Sequence, residues 1–165
     1  MDKLTPEERS KLMSKVHGKN TKPERLVRSM LHRAGYRFSL HRKDLPGKPD
    51  VTLRKYKTVV FVHGCFWHRH EGCKKTTMPQ SNVDFWRTKF ERNVANDRKH
   101  RVELERLGWK VLVVWECELK RPEEVLERLR RELTLPETGA YSEARDPLPL
   151  AAEAGTPYYA KGKTK

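Results

Sequence analysis

Thirteen consecutive residues, Phe61-Val-His-Gly-Cys-Phe-Trp-His-Arg-His-Glu-Gly-Cys73, carry two cysteines, three histidines and an adjacent aromatic pair. Cys65, His70 and Cys73 have the residue types and close spacing of zinc ligands. A structural zinc site is closed by four ligands, and the remaining cysteine, Cys117, ends the apolar run Val113-Val-Trp-Glu-Cys117. Three cysteines and one histidine then make a Cys3His set, and spacing alone leaves His68 open in place of His70. Cysteines also serve as small buried hydrophobes, but a core needs no histidine at ligand spacing. His63 remains over, and histidine exchanges a proton near neutral pH. Asp50, in Leu45-Pro-Gly-Lys-Pro-Asp50, starts the stretch that ends at His63. A carboxylate at a strand edge suits Mg2+, which prefers oxygen ligands and keeps several waters. Taken alone, Pro-Asp reads more simply as a turn.

The elements that must position these groups follow from periodicity. Residues 51–54 and 58–62 read as two strands joined by Lys55-Tyr-Lys57, a hairpin that would bring Asp50 beside the His63 end. The run 109–115 contains Val111-Leu-Val-Val114 and reads as a strand buried on both faces. Residues 36–40 alternate apolar and polar and read as a further strand. Thr5 with Pro6, and Thr21 with Pro23 and Glu24, are helix starts. Leu26, Val27, Met30 and Leu31 stripe the second of these helices, which Gly35 ends. Residues 82–107 form a long polar helix, with room for one break, and Gly108 stops it; Pro122 opens a last helix carrying Val125, Leu126, Leu129 and Leu133. This order gives an α/β fold with a mixed central sheet flanked by helices. The domain spans 1–135, with 1–20 as a basic N-terminal arm and helix, and 136–165 as a flexible tail rich in Pro, Ala, Gly and charge.

The net charge of +14 over 165 residues points to a polyanion, nucleic acid first, because Lys and Arg neutralise phosphate without regard to sequence. No apolar stretch approaches the ~20 residues of a membrane-spanning helix, and the N-terminus lacks a signal-peptide apolar region. Three cysteines, an odd number, suit a reducing cytoplasm rather than a disulfide framework.

Leu45-Pro-Gly-Lys-Pro-Asp50, Phe61-Val-His-Gly-Cys-Phe-Trp-His68, Asp84-Phe-Trp86, Asn93-Val, Asp97-Arg98 and Leu107-Gly-Trp-Lys-Val-Leu-Val-Val-Trp-Glu-Cys117 occur in this order. Through them the chain, over about residues 9–134, closely resembles the Vsr family, the very-short-patch mismatch repair endonucleases. The resemblance implies a restriction-endonuclease-like fold with a structural zinc. It implies Mg2+-dependent nicking of one strand of duplex DNA on the 5′ side of the thymine of a T·G mismatch, the product of 5-methylcytosine deamination. By position, Asp50 and the main chain of Val62 would bind Mg2+. His68 would act as general base toward water, with His63 close to the scissile phosphate; which of the two histidines is the base stays open. Glu24 would support the active-site histidine. Cys65, His70, Cys73 and Cys117 would hold Zn2+, and Phe66, Trp67 and Trp86 would wedge between bases. The implied protein is a monomer in the cytoplasm, associated with the nucleoid, with mismatched duplex DNA and other mismatch-repair proteins as partners. Two positions depart from the family pattern. Val62 stands where members often have Thr, and Glu71-Gly72 puts two residues between His70 and Cys73 where the best-known pattern has one. A zinc-stabilised DNA-binding module without catalysis is the reading from another class. A related nicking nuclease for another lesion or sequence is the third.

Overall fold

The computed structural model describes residues 18–134, together with Thr5, Glu7, Glu8 and Lys11. Most of the basic arm and the whole tail from 136 lie outside the described residues. The Thr5 start is present as a reciprocal cap: the Glu8 N–H donates to Thr5 Oγ1 (3.2 Å) and the Thr5 N–H donates to the Glu8 carboxylate (2.9 Å).

Helix α1 spans Lys22–Arg33, starts at Thr21 as the sequence predicts, and ends before Gly35 at φ +89°. Strand β1 is only Ser39–Leu40, shorter than the expected 36–40. Tyr36 and Phe38 pack against the core from outside the ladder. Strands β2 (Val51–Leu53) and β3 (Thr58–His63) form the expected hairpin, closed by a single 3-10 turn, Arg54–Tyr56, and a left-handed Lys57. Helix α2, Val83–Arg106, is continuous for 24 residues, so the break that was allowed for does not occur. Strand β4 (Lys110–Trp115) follows Gly108, and Pro122 opens helix α3 (Pro122–Glu132).

The sheet order is β1-β2-β3-β4, antiparallel except for the parallel β3–β4 pair. The fold is therefore α/β with a mixed sheet flanked by helices. β4 is an edge strand, yet both its faces are covered. Val114 joins α1 and α3 in one apolar cluster, and Val111 joins Leu104 and Trp109 in a second. β3 divides its side chains in the same way. Val60 and Val62 face the α1–α3 cluster, whereas Val59 and Phe61 face the α2 side. Alternation then carries His63 to the α2 side as well, and the C-terminal end of β3 becomes the place where chemistry meets the core.

Candidate active site and metal centre

The hairpin register pairs Val51 with Val60, so Asp50 lies one step further on, across from Phe61. The Val62 N–H donates to Asp50 Oδ2 at 2.7 Å, which fixes the carboxylate at the end of β3. Burial, and then the charge of Glu24, push the Asp50 carboxyl up to about 6. One open cleft of about 470 Å3 gathers Asp50, Val62, His63 and His68, with Glu24, His41, Asn93, Asp97 and Trp67 also in its wall. The proximity expected of the hairpin is present.

His63 and His68 stack face to face, with ring centroids 3.9 Å apart and planes within 7°. His63 is only 8% exposed. Burial first, and the adjacent His68 second, lower its pKa to about 4, so it is neutral at physiological pH. His68 Nδ1 lies 2.7 Å from Asp97 Oδ2 on α2. That contact fixes the ring and turns Nε2 toward other partners.

Glu24 was expected to support the active-site histidine. Its carboxylate accepts from Arg28 (2.8 Å), the Asn20 N–H (2.9 Å) and Thr21 Oγ1 (3.0 Å), and His41 lies 3.9 Å from it. The carboxylate that touches His68 is Asp97. Sequence reasoning placed Asp97 only within a motif and gave it no role, because 29 residues separate the pair. The available signal was the helical spacing of Asn93, Asn96, Asp97 and His100, a polar stripe on an otherwise ordinary helix. His41 and Arg28 were likewise missed.

Ligand atoms of Cys65, His70, Cys73 and Cys117 all lie within 4.8 Å of one another. His70, not His68, is the histidine brought to the cysteines. Its Nδ1 is 3.3 Å from Cys117 Sγ and 3.7 Å from Cys65 Sγ. Tetrahedral zinc with ordinary bond lengths separates N and S ligands by about 3.5 Å, so the cluster is compatible with zinc. Burial pushes the Cys65 thiol up to about 12. Such a thiol becomes a thiolate only beside a compensating cation. Trp115 stacks on His70 at 4.2 Å and sets its plane. The extra residue before Cys73 is taken up in a turn with Gly72 at φ +70°.

Phe66 and Trp67, between the two sites, are half-buried and meet Trp86 and Phe90 edge-on or tilted. The Asn93 amide donates to the Trp67 carbonyl at 3.0 Å and ties this loop to α2. Trp86, expected beside them as a wedge, is 8% exposed and sits at the centre of the cluster. Its neighbour Phe85, 59% exposed, is the aromatic left outside.

A family profile described as DNA mismatch endonuclease Vsr matches residues 1–75. The type II nicking enzyme V.XorIIP of Xanthomonas oryzae pv. oryzae is 53% identical over 118 residues, covering 72% of this chain and 86% of that protein. V.NmeAIP of Neisseria meningitidis is 52% identical over 130 residues (79% and 92%), and the DNA mismatch endonuclease Vsr of Escherichia coli is 40% identical over 124 (75% and 77%). The chain belongs to the Vsr family.

In this Vsr-family chain, Glu24, His41 and Asp50 also bring ligand atoms within 4.8 Å of one another. Two carboxylates this close and withdrawn from solvent suit a hard cation, because a bound positive charge offsets both the burial and the repulsion. Glu24 is already engaged by Arg28 and Asn20, so Asp50 is the carboxylate free to serve as ligand. No helix among the described residues is long and apolar enough to cross a membrane.

Proposed function

We propose that this chain nicks one strand of duplex DNA 5′ to the thymine of a T·G mismatch, with Mg2+ at Asp50 and the Val62 main chain and a structural Zn2+ held by Cys65, His70, Cys73 and Cys117. The observation that carries the reading is the convergence of Asp50, His63, His68 and Asp97 in one cleft of a Vsr-family chain. The restriction-endonuclease-like fold belongs to the same proposal, as does the assignment of 1–135 to the endonuclease domain and 136–165 to an appended tail. So does action as a cytoplasmic, nucleoid-associated monomer alongside other mismatch-repair proteins.

Mg2+, when bound, would offset negative charge developing on the phosphate. The chain's own groups do the rest. His68 accepts the proton of the attacking water at its free nitrogen while Asp97 holds the ring. His63, neutral and buried, packs under His68 and offers a nitrogen toward the phosphate. Glu24 keeps Arg28 and His41 in place beside Asp50 and adds to the negative field that draws a cation there. Val62 in place of Thr removes a hydroxyl but keeps the main-chain carbonyl, the group of this residue that would reach Mg2+, while its N–H donates to Asp50. Phe66 and Trp67 unstack the mismatched step, at a cost of a few kcal/mol.

The deciding experiment offers duplexes with each mismatch in varied flanking sequence, with and without Mg2+, and maps any nick. Nicking beside T in T·G duplexes is expected. Failure to nick any T·G duplex would support the binding-module alternative. A related nicking nuclease with other specificity keeps its place, because the relatives named type II nicking enzymes reach 53% and 52% identity against 40% for the E. coli enzyme. Nicking in a single flanking context unlike the others would identify which.

A further inference from the structure

The wall of the cleft includes Lys48, Asn96 and His100, polar side chains that none of these roles uses. Two elements bring them together. In the turn before β2, Gly47 (φ +72°) and Lys48 (φ +49°) are successive left-handed residues, and the Lys48 N–H closes the turn on the Leu45 carbonyl at 3.1 Å. Across from it, α2 approaches so closely that a Cβ on Gly47 would stand 2.9 Å from His100 Cγ and Nδ1. Glycine therefore does two things here: it adopts the positive φ, and it lets the helix press on the turn.

Asn93, Asn96, Asp97 and His100 stand at i, i+3, i+4 and i+7 on α2, so one stripe of the helix faces the cleft. Asn93 holds the Trp67 carbonyl and Asp97 holds His68. The side chains of Asn96, His100 and Lys48 have no hydrogen-bond or ion-pair partner among the described residues. An ammonium, an amide NH2 and an imidazole N–H are all donors. The acidic groups that share the cleft have other work: Asp97 faces His68, Glu24 accepts from Arg28, and Asp50, which accepts from Val62 through Oδ2, keeps its other oxygen for the cation. What fits a cluster of free donors lining a nuclease cleft is an anionic oxygen of the substrate backbone.

We propose that Lys48, Asn96 and His100 form a phosphate subsite that grips a backbone phosphate of the nicked strand next to the scissile one. It sets the register in which that strand passes Asp50 and His68. The proposal rests on the nicking function given above. These are positioning residues, acting on strand placement and not on the reacting atoms.

The test uses the full chain and T·G duplexes in which one phosphate at a time, on either side of the nick site, is replaced by a neutral methylphosphonate. Affinity is measured without added Mg2+. Neutralising one linkage close to the nick is expected to weaken binding by the parent protein about tenfold, the loss expected for one charge-assisted hydrogen bond. Lys48→Met, Asn96→Ala and His100→Gln should each weaken binding to the unmodified duplex and flatten the response at that same linkage, leaving other linkages unchanged. A profile that is flat in the parent, or the same in parent and variants, overturns the subsite. Nicking of the unmodified duplex in Mg2+ is scored separately. A parent that nicks no T·G duplex defeats the proposed function, while the binding profile still decides the subsite.

Discussion

Asp50 and His63 sit side by side in the cleft, and their shifted ionisations act on stability with opposite signs. The Asp50 carboxyl is raised from 3.8 to about 6 by burial, with Glu24 adding to the rise. The folded state thus holds an extra proton between those values, and stability falls as pH rises through them. Asp50→Asn removes that penalty while keeping an acceptor for the Val62 N–H. Without Mg2+, the variant should be more stable than the parent at pH 7, by on the order of 1–3 kcal/mol, and equal to it near pH 4. It should bind duplex but not nick it; parent-like nicking by this variant in Mg2+ rules the site out. His63 is lowered from 6.5 to about 4, chiefly by burial. Its contribution is present above 6.5 and is lost as pH falls toward 4. In the parent the two trends offset one another. Denaturant unfolding of Asp50→Asn should therefore show a steeper acid loss than the parent between pH 6.5 and 4. Without Mg2+ the parent's Asp50 takes up its proton as pH drops through about 6, so the Mg2+ concentration needed for nicking should rise as pH falls. His68→Ala should slow nicking by about two to four powers of ten, the usual range for a lost acid or base. Asp97→Ala should cost less, because the ring stays and only its support goes. Single-turnover rates measure both, and an Asp97→Ala rate equal to the parent's would remove Asp97 from the site.

At the scale of elements, the aromatic cluster divides into a part that reaches outward and a part that supports it. Trp67 belongs to a loop pinned by Asn93, and Trp86 lies beneath it in the first turn of α2. Trp67→Ala should weaken binding to a T·G duplex more than to a matched one, since stacking into an opened step matters only where the step opens. Trp86→Ala should show a different signature. Removing a buried indole costs roughly 3–5 kcal/mol of stability, so its melting temperature should drop well below that of Trp67→Ala. Equal melting temperatures would return Trp86 to the exposed wedge. The elements themselves were largely legible in the sequence. Thr21, Gly35, Gly108 and Pro122 mark helix ends through local rules, and a local rule needs no tertiary information. The hairpin was legible because its connection is short, and it carries the one long-range consequence the sequence allowed, Asp50 beside the end of β3. What escaped was set by packing between distant elements. Nothing local says that Asp97 meets His68, that Glu24 lies beside His41, or that Trp86 is covered while Phe85 is not; the Glu24–Arg28 pair, at i and i+4, falls within a local rule. β1 shrank to two residues because Tyr36 and Phe38 fill the core without joining the ladder.

At the scale of the whole molecule, the Cys3His cluster is a long-range clasp. Cys65, His70 and Cys73 sit in the loop that leaves β3, and Cys117 follows β4, 44 residues beyond Cys73 in sequence. Those two strands are the parallel pair, whose register ends with His63 beside Trp115. Trp115 touches both sites, stacking on His70 and meeting His63 edge-on at 5.3 Å. A metal in the cluster would therefore hold the loop carrying Phe66, Trp67 and His68 against the end of the sheet that carries His63. Losing any one ligand opens the site and removes part of the metal's folding contribution. Cys117→Ala should destabilise the protein as much as Cys65→Ala, despite its distance in sequence. Elemental analysis of natively purified parent should find about one zinc per chain, retained through dialysis against EDTA at neutral pH. Chelation under partly denaturing conditions should then lower nicking and mismatch binding together, because both His68 and Trp67 lie on the clasped loop. Natively purified protein with no zinc, or a Cys117→Ala variant as stable as the parent, would show that these four residues are only a packed cluster and that the loop is held by Trp115 and Asn93 alone.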